Sequence, residues 1–118
     1  MNINFSLELP KVISAMFPDA VGRYLATEIL NKYGTQKEHI APDRVRLAIL
    51  KLIENDPSML QDMVECACGD YRDVLFLAES RRAIEADWDL EKTNPEEFER
   101  LVAKDEQEYR SWLQRVLG

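Results

Sequence analysis

The chain of 118 residues carries 15 basic and 22 acidic side chains, a net charge of −7. That length accommodates one domain, and the acidic balance argues against polyanion binding, whose footprint is a basic patch. With 46% apolar and 31% charged residues, the composition is that of a folded chain rather than a disordered one. Ala, Leu, Glu, Lys and Arg supply 52 of the 118 residues, so strong helix formers dominate. The longest apolar run, Val74 to Ala78, is far below the roughly 20 residues of a membrane span. No secretory signal is visible in MNINFSLELP, and two cysteines two positions apart make no disulfide framework. A reducing cytoplasm is the expected setting.

Ile3, Phe5, Leu7 and Leu9 alternate with polar residues, a period of two that predicts an extended N-terminal arm lying on the core. From Pro10 a short helix should turn Val12, Ile13, Met16 and Phe17 inward and stop before Pro18. Asp19 then caps a helix over 20–33, whose inward set is read as Val21, Tyr24, Leu25, Ile29 and Tyr33, with Gly34 at its C-terminal cap. Residues 35–41 read as a loop or single turn.

The segment from Pro42 to Asn55 has only a narrow polar stripe, which marks a central, mostly buried helix with Leu52 in its core face and Arg44 outside it. Asp56-Pro57 pairs a cap with a first-turn proline. Leu60, Met63, Val64, Ala67 and Cys68 then form the next stripe, closed by Gly69. A helix from Asp70 places Tyr71, Val74, Leu75, Ala78 and Arg82 on one side and Phe76 on another, and it bends between Ser80 and Asp87. WDLEKTNP reads as an ordered loop. Asn94-Pro95 opens a last helix with Phe98, Leu101, Val102, Tyr109, Trp112, Leu113 and Val116 inward. These elements predict an all-α fold: one compact bundle of five or six helices over 1–118, with crossing axes and the extended arm.

Each chemical candidate has a plainer alternative. Cys66 and Cys68 diverge by about 200° on a helix, so they cannot share a metal ion there, and they read as buried or half-buried structural thiols. A zinc site would need more than the single histidine, His39, which reads as a solvated loop residue without a catalytic partner. Asp62 with Glu65, and Asp70 with Asp73, share helical faces that could hold a hard cation, as solvated acidic faces also do. No phosphate-cradling glycine loop is present. Arg44, Arg46 and Lys51 form the one basic cluster. On so apolar a helix they should reach past the core to acids, such as those on the helix from residue 57.

Phe76 and Trp88 fit the intramolecular pattern least well, as does Leu90. With Arg81 and Arg82 nearby they have the composition of a protein interface; the alternative is that Trp88 and Leu90 cover the bottom of the bundle.

The run DRVRLAILKL followed by DYRDVLFLAE resembles a group of small bacterial helical proteins with no assigned function. The resemblance spans residues 42–80 and implies a bacterial cytosolic protein of this helical layout, with no active site attached. The expectation is an interaction or accessory protein that binds a protein partner or itself through Phe76, Arg81, Arg82 and Trp88. No catalytic, metal or cofactor residues are expected. A helical regulator with a small ligand between its helices is the alternative, and a nucleic-acid-binding regulator the third.

Overall fold

The structure is a computed structural model that describes residues 2–118. Among these residues it contains no strand. It has eight α-helices: α1 (Phe5–Met16), α2 (Ala20–Leu30), α3 (Pro42–Leu52), α4 (Leu60–Gly69), α5 (Tyr71–Glu79), α6 (Arg81–Glu85), α7 (Leu90–Thr93) and α8 (Pro95–Leu117). A 3-10 turn, Pro57–Met59, leads into α4. The count exceeds five or six because the expected bend after Ser80 delimits α6 and the expected loop before Pro95 contains the single turn of α7.

The N-terminal segment is a helix rather than an extended arm. The Asn4 side chain accepts from the Leu7 amide at 3.1 Å and so caps α1, which then continues through Pro10. Phe5, Leu9, Val12, Ile13 and Met16 also lie at helical spacing. This set shares Phe5 and Leu9 with the alternating one, and in the helix Leu7 turns outward. Packing of α1 on α3 and α8 buries the longer stripe, and the local alternation yields to it.

In α2 the buried face is Ala26 and Leu30, followed by Tyr33, whereas Val21, Tyr24 and Leu25 are exposed. The sequence offers two stripes on this helix. The one containing the small Ala26 meets the rest of the fold, where α2 packs on α4 and α1. The chain leaves α2 through Gly34 at φ +112°, where a Cβ would come within 2.5 Å of the Arg46 guanidinium; glycine is required there.

The central helix is α3. Val45, Leu47, Ala48, Ile49 and Leu50 are buried, as is Ile53 just after it, and α1, α4 and α5 pack around it. Leu52 is only partly buried against this core. Leu60, Val64 and Ala67 of α4, Val74 and Ala78 of α5, and Tyr109 and Trp112 of α8 complete it. Cys68, read as inward, is exposed like Cys66. Val102 is also exposed, because the N-terminal half of α8 packs on the short helices α6 and α7.

Two acidic side chains are buried with the core, Glu79 and Asp105. Both are matched by arginine, Glu79 by Arg44 and Asp105 by Arg82, as burial of a charge requires.

Candidate interaction surface

The segment from α5 to the start of α8 is shaped by a sequence of caps. Asp70 accepts from the Arg72 amide at 3.0 Å and starts α5; the Arg72 guanidinium also donates to it, which holds its carboxyl below the usual range. The Ser80 amide closes α5 on the Phe76 carbonyl at 2.9 Å. Ser80 gives α6 no side-chain cap. That role falls to Asp105 of α8, whose two carboxylate oxygens accept from the Arg82 amide at 3.2 Å and the Ala83 amide at 3.1 Å. A carboxylate at the first turn satisfies orphan N–H groups and opposes the positive end of the helix dipole.

This arrangement separates the expected site residues into two roles. The Arg82 guanidinium donates to Asp105 at 3.0 Å and Glu108 at 2.8 Å, and these two carboxylates, Glu108 foremost, hold it protonated above the usual arginine range. Arg82 thus clamps α6 to α8. Arg81 lies outward and pairs with Glu85 one turn on at 3.2 Å. Phe76 is 40% exposed and Trp88 92% exposed, so Trp88 does not cover the base of the bundle. Leu90, grouped with them in the sequence, is half-buried.

Trp88 stands between Asp87 and Asp89, in the turn that the Leu90 amide closes on the Asp87 carbonyl at 2.9 Å. Residues 85–108 hold ten acidic and three basic side chains, an imbalance equal to the net charge of the whole chain. Some of these acids are neutralised internally, among them Glu97 by Arg100 and Glu106 by Arg110. Among the described residues Asp87, Asp89, Glu91, Glu96 and Glu99 have no ion-pair partner. Beside them, α7 and the first half of α8 form an open cleft of about 450 Å³ lined by Glu91, Pro95, Phe98, Glu99, Val102, Ala103 and Glu106. The lining joins Glu91 of α7 to six residues of α8, a juxtaposition that no motif in the sequence announced.

The basic cluster is dispersed. Arg44 donates to both oxygens of Glu79, with Nε to Oε2 at 2.9 Å, so its partner lies on α5 and not on the helix from residue 57. Arg46 turns to the end of α2, where Nε donates to the Tyr33 carbonyl at 3.1 Å. Two of the three cations thus have partners within the chain.

His39 is half-buried and holds the loop after α2 together. Its ring stacks on Tyr33 with centroids 4.6 Å apart. Its Nδ1 accepts from the Gly34, Thr35 and Gln36 amides at 2.9, 3.2 and 3.3 Å. Accepting these bonds leaves the ring proton on Nε2. The imidazole is an acceptor hub for a turn, a role with no spacing motif to announce it.

Among the described residues no group of three or more His, Cys, Asp or Glu side chains is placed to hold a metal ion, and no helix is long and apolar enough to cross a membrane. Compared with family models, curated proteins and solved structures, the chain matches none.

Proposed function

We propose that this chain is a protein-interaction module whose recognition surface draws on the exposed aromatic side chains Trp88 and Phe76 and on the exposed Arg81. The observation that carries the reading is Trp88 itself, 92% exposed between two carboxylates that have no ion-pair partner among the described residues. An indole in water forgoes the burial that normally repays so large a side chain, and tryptophan is the residue type most enriched at the energetic centres of interfaces. Arg82 belongs to the scaffold and holds α6 to α8. A cytoplasmic accessory role accords with the exposed free thiols of Cys66 and Cys68.

The test compares wild type with Trp88→Ala and Phe76→Glu in sedimentation over a range of concentrations and in affinity capture of partners. Self-association or a captured protein that both substitutions abolish supports the reading. Wild type and variants that behave alike in both assays would overturn it. Trp88→Ala should leave stability within about 0.5 kcal/mol, since the side chain has little to lose on the surface, so loss of binding cannot be blamed on unfolding.

A further inference from the structure

We propose that the cleft between α7 and α8 seats a basic amphipathic helix of a partner protein, an inference that rests on the interaction reading above and names the chemistry of its partner. The floor of the cleft is apolar, with Phe98 and Val102 one helical turn apart and Pro95 at one end. Its rim is acidic, from Glu91 on α7 and from Glu99 and Glu106 on α8. Glu99 and Glu106 are seven residues apart and so lie on one side of α8, separated by about 10 Å along its axis. An elongated apolar floor beside one long helix matches helix-in-groove recognition, in which anchors at i, i+3 or i+4 and i+7 enter the groove.

Charge complementarity selects the occupant. Glu91 and Glu99 have no ion-pair partner among the described residues, and Glu106 has only the half-buried Arg110 on its own helix at 3.3 Å. Their surroundings, residues 85–108, carry the chain's entire excess of negative charge. An acidic or neutral helix would leave these carboxylates unmatched. A helix with Leu-type anchors flanked by Lys or Arg pairs with them, and its long basic stems extend the apolar contact before reaching the rim. Trp88, three residues before Glu91 in the chain and exposed, offers its ring face to a further basic side chain.

A fluorescently labelled helical peptide of Leu and Lys, with Leu at i, i+3, i+4 and i+7, is the probe, read by anisotropy at low and moderate salt. Two control peptides replace Lys by Glu or Leu by Ser. The expected result is binding of the Leu/Lys peptide alone, weakened about tenfold or more by Val102→Arg and by Glu91→Lys with Glu99→Lys. Val102 and both glutamates are exposed, so these variants should fold, as circular dichroism would verify. Equal binding of the Leu/Lys and Ser/Lys peptides overturns the groove, because charge alone would then account for the affinity. Binding that survives Val102→Arg but is lost in Trp88→Ala also overturns it, while leaving the Trp88 surface standing. Loss of the captured partner in Trp88→Ala without any binding of the Leu/Lys peptide separates the two in the same way.

Discussion

Arg44 on α3 and Glu79 at the end of α5 meet through a two-pronged contact, with Arg44 Nε and Glu79 Oε2 2.9 Å apart. The Glu79 side chain is only 4% exposed, whereas Arg44 remains 44% exposed. The bond to Glu79 raises the Arg44 pKa above the usual arginine range. The guanidinium also stands 5.9 Å from the Phe5 ring centroid, so one arginine joins α1, α3 and α5.

Removing Arg44 strands a buried carboxylate. Arg44→Ala should therefore destabilise by about 2 kcal/mol, below the 3–5 typical of a fully buried pair because half of this guanidinium is in water. The double variant Arg44→Ala with Glu79→Leu should recover most of that loss. Urea melts of the three proteins measure it; an Arg44→Ala protein as stable as wild type would show that Glu79 is hydrated.

Asp105 tests whether a cap can be supplied from 23 residues away. Asp105→Ala leaves the first amides of α6 without acceptors and should cost about 2 kcal/mol. Asp105→Asn, which keeps one acceptor oxygen, should cost less. Hydrogen exchange at Arg82 and Ala83 should accelerate in the alanine variant before exchange in α3 changes; equal protection there would refute the capping role.

His39→Ala should destabilise by about 1–3 kcal/mol by releasing three amide donors and a ring stack. His39→Phe preserves the stack but not the acceptor, so it should recover only part of the loss. Thermal melts of both variants rank the two contributions.

Tyr109 predicts an alkaline limit. Burial, and after it the negative charge of Glu79, push its phenol well above the ordinary value of 10.0, and burial also raises Tyr33. Below pH 10 both are neutral in the folded and unfolded chains, and their contribution is fully present. Above it the unfolded chain releases protons that the folded chain keeps; Tyr109 should withdraw up to about 1.4 kcal/mol per pH unit until it titrates in the folded chain, and Tyr33 acts in the same direction. Tyr109 is buried without a hydrogen-bond partner for its hydroxyl among the described residues. Tyr109→Phe should consequently be neutral or slightly stabilising at pH 7 and should flatten the alkaline decline. An unchanged decline in this variant would place the titrating group elsewhere.

Ile49→Ala should cost about 2–5 kcal/mol, since Ile49 lies in the fully buried centre of α3. Leu52→Ala, at the partly buried edge, should cost clearly less. Reversal of that order in denaturant melts would move the core toward the C-terminal end of α3.

Local chemistry in the sequence determined the helical class and most of the breaks. Asp19, Asp56, Asp70 and Asn94 all accept the amide bonds of the helix starts they were expected to mark, because a cap involves neighbours only two or three residues apart. The breadth of the apolar surface on α3 likewise identified the central helix, and the position of Phe76 off the inward stripe of α5 marked half of the candidate surface. Tertiary packing decided the rest. It chose a helix over an extended arm for residues 5–9, the Ala26 stripe of α2 over the Val21 one, and Glu79 as the partner of Arg44. It drew Arg82 into the scaffold and formed the cleft on α8. The Arg82–Asp105 and Arg44–Glu79 contacts join groups 23 and 35 residues apart. A spacing pattern within one helix reports which residues share a face, whereas the choice of face to bury belongs to whichever distant helix comes to lie against it.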